Sequence, residues 1–169
     1  MSRSNQHGSV ENLFRDHGTA ILRYFARRVD PVEDAADLMS DVMLIAWRRR
    51  DAIPPYPQDV LWLYGVARNV LANHRRGTSR RTAATQDLAD QLQSAPVHTQ
   101  APKVEVLDVR AAIRSLNETD REILTLSAWE SLTSAEIAVV VGLPPSTVRA
   151  RLARARATIR SMLAVETTA

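Results

Sequence analysis

Thr133-Ser134-Ala135-Glu136-Ile137-Ala138-Val139-Val140-Val141-Gly142-Leu143-Pro144-Pro145-Ser146-Thr147-Val148-Arg149-Ala150-Arg151-Leu152-Ala153-Arg154-Ala155-Arg156 is the stretch that decides the fold class. It opens with a hydroxyl residue followed three positions later by Glu136, the pattern that satisfies the orphan N–H groups of a helix start. That helix stops at Val141-Gly142-Leu143, and another begins around Pro145-Ser146-Thr147. Two helices separated by a short Gly-containing turn are the signature of a helix-turn-helix. In the second of them Val148, Leu152, Ala155 and Ile159 share a core face, while Ser146, Ala150, Ala153 and Ala157 make an outer strip of small side chains. Arg149, Arg156 and Arg160 border the strip on one edge, Arg151 and Arg154 on the other. Small side chains let a helix lie deep in a major groove, where flanking Arg reaches phosphates or guanine edges. An Ala/Arg-rich surface helix would have the same composition.

Working outward, apolar spacing is helical almost throughout. Val10, Leu13, Phe14, Ile21, Leu22 and Phe25 recur at three- and four-residue steps, and after a break at Asp30-Pro31 a second helix is predicted to about Arg50, with Pro31 in its first turn. Asp51-Ala52-Ile53-Pro54-Pro55-Tyr56-Pro57 cannot be helix, because proline removes donors and biases its predecessors to extended forms. Asp59 is a cap for a third helix predicted to end near Arg76-Gly77. Beyond it lies Thr, Ser, Gln and Ala chemistry running to Ala101-Pro102, with a short helical turn at Asp87–Leu92; helical spacing resumes at Val104. The expected fold is all-α: two small helical domains, residues 1–77 and 104–169, joined by a flexible linker over 78–103, the C-terminal domain a helix-turn-helix.

Composition narrows the function. Of 22 basic residues 21 are Arg and only Lys103 is Lys, against 19 acids. Arg's planar fork matches phosphates and base edges, so the bias leans towards nucleic acid. Without Cys there is no disulfide, thiolate metal site or thiol nucleophile, and the four His are scattered, so no metal or cofactor is expected. No apolar run is long enough to span a bilayer and no signal segment follows Met1, so a cytoplasmic chain without membrane insertion is expected.

Two further helix faces carry unusual chemistry. Residues 29–47 hold Asp30, Glu33, Asp34, Asp37 and Asp41 and no base. At helical spacing Asp34, Asp37 and Asp41 fall within about 60° of each other. Ala35, Leu38, Val42, Ile45 and Ala46 form a separate core face, and Leu44 lies near the Asp37 direction. Acids near a helix start complement its dipole, but acids beside one exposed Leu also suit a basic partner. The third helix buries Val60, Leu63, Tyr64, Val66, Ala67, Val70 and Leu71, leaving Trp62, Asn69 and Asn73 aligned on the other side with Arg68, Arg75 and Arg76 nearby. An aromatic plane, amides and guanidinium groups suit an unstacked nucleic-acid strand; packing of Trp62 on a neighbouring helix is the competing reading.

With these residues in place, the chain resembles a bacterial sigma factor of the extracytoplasmic-function class. The resemblance rests on Val32 to Trp47, on Trp62-Leu63-Tyr64-Gly65-Val66-Ala67-Arg68-Asn69, and on Ser134 to Arg156, in that order and spacing. It implies that the acidic helix docks the clamp helices of core RNA polymerase through Asp34, Asp37, Asp41 and Leu44. It implies that the loop at 48–59 and the third helix hold the opened promoter −10 strand through Trp62, Arg68, Asn69, Asn73, Arg75 and Arg76. The C-terminal helix-turn-helix would read −35 duplex through Ser146, Thr147, Arg149, Ala150, Arg151, Ala153 and Arg154. An anti-sigma factor is the implied regulator, and no sensory domain is expected after Ala169. The sequence departs from the family at Ser40-Asp41, where Gln-Glu is commoner, and at Ser146 and Ala150, where Gly and Ser are.

A free-standing helix-turn-helix repressor or activator is the alternative; it would leave the acidic face and the Trp62 strip without a role. An enzyme has no support, since there is no phosphate-binding Gly-rich loop, metal cluster or nucleophile elbow.

Overall fold

The computed structural model describes the backbone of residues 3–92 and 104–166, and within them the side chains of residues 10–83 and 109–164. Among the described residues there are helices and no strand: α1 (Arg3–Ala26), α2 (Asp34–Arg48), a 3-10 turn (Arg50–Ala52), α3 (Asp59–Leu92), α4 (Val104–Ser115), α5 (Glu118–Trp129), α6 (Ser134–Val141) and α7 (Pro145–Glu166). The chain divides into two compact units, Met1–Ala95 and Pro96–Ala169.

In the first unit α1, α2 and α3 bury one stripe each. Ile21, Tyr24 and Phe25 of α1, Val42 and Ala46 of α2 and Leu63 and Ala67 of α3 are fully buried. Tyr24 is the hub, meeting Phe25 edge-on at 5.4 Å and Tyr64 at 5.8 Å, distances at which aromatic pairs attract beyond their burial. The Arg28 guanidinium lies 3.8 Å over the Tyr24 ring and donates to the Tyr24 carbonyl at 3.0 Å.

Two boundaries and the core face of α1 differ from expectation. Leu22, placed on the buried face by spacing, is 42% exposed, and Tyr24 occupies the core instead. Pro31 does not enter α2; residues 31–33 form a turn closed by bonds from Asp34 N to Pro31 O and from Ala35 N to Val32 O, and the helix starts at Asp34. The third helix does not stop at Gly77 but runs to Leu92, taking in the predicted turn at 87–92 and the first part of the expected linker. No proline interrupts residues 58–95, and one interior Gly costs a helix only about 1 kcal/mol. The rest of the expected linker, residues 93–103, lies outside the described residues.

The second unit is built on helix ends. Thr133 caps α6: its hydroxyl accepts from Glu136 N at 3.3 Å, and Glu136 Oε2 accepts from Thr133 N at 2.7 Å. Gly142 closes α6 in the left-handed conformation (φ 70°), its N–H and that of Leu143 both donating to Ala138 O. The chain then re-enters helix, Val148 N donating to Pro144 O at 3.1 Å. Arg121 of α5 donates to the carbonyls of Ile113, Arg114 and Leu116, satisfying the end of α4. Ile123, Leu126, Ile137, Val148, Leu152 and Ala155 are buried, whereas Ile159, expected in the core, is half-buried.

Two turn positions test this account. Gly142→Ala, with open space around a Cβ but a left-handed backbone, should cost about 1–2 kcal/mol. Ser131 holds φ 56° without being Gly, so Ser131→Gly should gain less than about 1 kcal/mol. Both are read from the denaturation midpoint followed by Trp129 fluorescence, with Trp47 and Trp62 replaced by Phe.

Candidate nucleic-acid interface

Three exposed helix faces carry the predicted residues, two on the first unit and one on the second.

On α2, Ala35, Leu38, Val42 and Ala46 turn inward, which leaves Asp37 and Asp41 exposed and Leu44 47% exposed. Asp34 is at the edge of this face, and its Oδ2 stands 3.4 Å from His74 Nε2 of α3. It therefore also ties α2 to α3, unlike Asp37 and Asp41. Between the two helices runs a groove of about 340 Å³ lined by Leu38, Asp41, Leu44, Ile45, Arg48, Val70, Asn73 and His74. It brings together residues that the sequence assigned to separate tasks: Asp41 and Leu44 on one wall, Asn73 on the other. Sequence reasoning gave no role to Met43 and Trp47, yet they are 46% and 39% exposed, one helical turn apart. Apolar residues outside the core arc were the available signal.

On α3, Trp62 is half-buried and Asn69 and Asn73 are exposed along one side. Arg76 donates to Asn73 Oδ1, so the Asn73 amide offers its NH₂ away from the arginine. Arg68 is half-buried and lies about 120° around the helix from Trp62, off the strip. Arg75 does not join this strip; it lines a cleft of about 730 Å³ with Arg28, Val29, Asp30, His74, Thr78, Ser79, Thr82 and Ala83. Helical rotation explains this, because Arg75 lies about 140° around the helix from Trp62. Ahead of α3 the chain passes through Pro54-Pro55-Tyr56-Pro57, and Tyr56 is 82% exposed. The prolines flanking Tyr56 restrict its backbone.

On α7, Ser146, Arg149, Ala150, Ala153 and Arg154 are exposed and Thr147 is half-buried. Arg156 donates to Ser127 Oγ at 3.1 Å. Arg151 is turned towards α5, its Nη1 donating to Asp120 Oδ1 at 2.9 Å. Burial raises the Asp120 pKa, but hydrogen bonds from Arg151 and Asn117 and the charges of Arg151 and Arg154 outweigh it and hold the carboxyl below its ordinary value. Glu136 is lowered too, by the backbone and side-chain hydrogen bonds of Thr133 against a smaller effect of burial.

Among the described residues no group of three His, Asp or Glu side chains could hold a metal, and no helix is long and apolar enough to cross a membrane.

The Sigma-70 region 2 family model matches residues 13–81, and the Sigma-70, region 4 model matches residues 107–159. The chain is 27% identical over 143 residues to the ECF RNA polymerase sigma factor SigL of Mycobacterium tuberculosis, covering 83% of this chain and 80% of that one. It is 28% identical over 156 residues to the RNA polymerase sigma factor YlaC of Bacillus subtilis, covering 88% of each. In fold it resembles the sigma factor RpoE from Bartonella quintana, solved with the anti-sigma factor NepR, at TM-score 0.67 and 20% identity over 94% of this chain and 98% of that one. It also resembles CnrH solved with the cytosolic domain of CnrY, at TM-score 0.67 and 24% identity over 94% and 90%.

Both lowered carboxyls make the second unit acid-sensitive. A carboxyl whose folded pKa lies below its unfolded one contributes stability that is complete above the ordinary carboxylate range and is lost as pH falls through the folded value. Asp120→Asn and Glu136→Gln should each lower the thermal midpoint at neutral pH, and the difference should shrink as pH falls below the ordinary carboxylate range through the lowered folded values. A difference that persists undiminished in acid would assign the effect to packing.

Proposed function

Because the chain belongs to the sigma-70 family, in its extracytoplasmic-function class, we propose that the exposed faces of α2, α3 and α7 divide its work between polymerase, opened DNA and duplex DNA. As a sigma factor it binds core RNA polymerase and promoter DNA and directs transcription initiation. In the proposed division Asp37, Asp41 and Leu44, with Asp34 at the edge, meet the clamp helices of the largest polymerase subunit. Trp62, Asn69 and Asn73, with Arg76, hold the opened −10 strand, and Tyr56 adds a second stacking surface. Arg68 and Arg75, which share another side of α3, reach the same strand only where it wraps round the helix. Ser146, Thr147, Arg149, Ala150, Ala153 and Arg154 read the −35 duplex.

One observation carries the reading: the α2–α3 groove has Asp41 and Leu44 on one wall and Asn73 on the other. A polymerase-docking face and a base-holding face that share a groove allow DNA opening to depend on the polymerase. A free-standing regulator has no use for that adjacency. No bond chemistry is assigned to the chain; phosphodiester formation belongs to the polymerase, and the site of action is the cytoplasm. RpoE and CnrH were solved with NepR and CnrY, which supports an inhibitory protein partner here too, one that covers the polymerase- and DNA-binding faces.

The paired substitutions Asp37→Lys and Asp41→Lys should weaken binding to core polymerase about tenfold or more, with helical content unchanged; unchanged affinity removes the docking assignment. Arg149→Ala should cost roughly 1–3 kcal/mol at one −35 base pair if its contact is bidentate, whereas a uniform loss across sequences makes it a phosphate contact. Tyr56→Ala should weaken holoenzyme binding to single-stranded −10 DNA by about 1–3 kcal/mol, leaving core binding intact.

A further inference from the structure

We propose that Arg151 is a positioning residue, which ties α7 to the start of α5 and sets the rotation at which Arg149, Ala150, Ala153 and Arg154 meet the −35 duplex, without itself touching DNA. The inference rests on the −35 reading of α7.

Rotation around α7 separates Arg151 from its neighbours. Measured from the middle of the Ser146/Ala150/Ala153/Ala157 strip, Arg149 and Arg154 lie roughly 70° to either side, and Arg151 roughly 130° away. That puts Arg151 closer to the direction of buried Ala155 than to the strip. Its guanidinium completes a three-residue network at the α5 cap. Nη1 donates to Asp120 Oδ1 at 2.9 Å, and Asp120 Oδ2 accepts from Asn117 Nδ2 at 2.7 Å. Asn117 Oδ1 in turn accepts from Asp120 N at 2.9 Å. The Arg151 and Asp120 side chains are only 31% and 14% exposed, and Arg151 Nε is buried.

Two physical consequences follow. A guanidinium spanning two helices resists rolling of one against the other, since rotation of α7 would carry it off a carboxylate that is itself held at the α5 cap. Secondly, the pair carries no net charge. Arg151 beside the Asp120 carboxylate attracts phosphate weakly and displaces few counterions, in contrast to an exposed Arg at the strip's border. Arg156 adds a second tie from α7 to α5 through Ser127, but among the described residues only the Arg151 network fixes the first turns of α7 to the α5 cap.

The test uses the full chain assembled with core RNA polymerase. Duplexes are recovered from a pool randomised at −35 by the wild-type holoenzyme. Affinity for a recovered duplex and for an unrelated one is then measured across a salt series. Arg151→Gln and Asp120→Asn should each reduce the ratio of the two affinities several-fold, non-additively, with the salt slope unchanged. The exchange Asp120→Arg with Arg151→Asp should restore part of the ratio. If Arg151→Gln lowers the salt slope by about one while Asp120→Asn is neutral or strengthens binding, Arg151 is a phosphate contact and the proposal fails. Variants that lose thermal stability but keep the ratio also overturn it, because the pair would then serve the fold alone. Should Arg151→Gln fail to fold, Asp120→Asn, which keeps the size and the cap acceptor, carries the same comparison. No enrichment by the wild type would sink the −35 reading of α7 itself, and this inference with it.

Discussion

A unit of three or four helices can bury only one stripe of each, because it has no second layer to cover the rest. Everything else about this protein is set by that constraint. Tyr24, packed against Phe25 and Tyr64 under the Arg28 guanidinium, ties α1 to α3, while α2 turns Ala35, Leu38, Val42 and Ala46 inward. The arcs left outside are then determined. Burying Leu38, Val42 and Ala46 leaves Asp37, Asp41 and Leu44 exposed; burying Leu63, Ala67 and Val70 leaves Asn69 and Asn73 exposed. Core and interface are two sides of the same helical rotation, so changes in core packing alter how the outer faces are presented.

Charge is distributed with the same economy. Bases are absent from residues 29–47, while α7 alone carries five Arg. Arginine also supports the fold: Arg121 closes α4, Arg28 lies on Tyr24, and Arg151 joins α7 to α5. Only some of the guanidinium groups that made the composition look nucleic-acid-directed therefore point at a ligand. Exposure and partner separate the two uses, and neither can be read from composition.

The sequence told most about features that are local. The Thr133–Glu136 cap and the Gly142 stop follow from residue chemistry within a few positions, and both occur as expected. The stripe of α2 was equally legible, because a 15-residue helix gives periodicity enough repeats. What escaped needed a partner far along the chain. Nothing near Leu22 or Tyr24 says which is buried; Tyr64, forty residues on, packs against Tyr24. Asp34 reads like its neighbours until His74 is set beside it, and Arg151 like Arg154 until Asp120 is. The end of α3 was misplaced because a single Gly was weighed as a stop, although no proline follows for many residues. Tyr56 escaped for a different reason: a proline-rich loop has no period from which outward direction can be inferred.

Magnitudes explain why such faces need a polymerase between them. Separating a stacked base-pair step of DNA costs about 1.4 kcal/mol on average. An aromatic side chain stacked on a base recovers about 1–3 kcal/mol. Tyr56 is highly exposed and Trp62 partly so; with Asn69 and Asn73 further along α3, the first unit offsets a few steps and no more. On that arithmetic the strip holds a strand already opened far better than it opens one. In the proposed division, opening would therefore require the DNA to be held at a second place, by α7 on duplex, with polymerase docked on the acidic face of α2. The groove lined by Asp41 and Asn73 would give the proposed docking and strand capture a common boundary, so that polymerase bound on one side would bear on the groove where the base is proposed to be held.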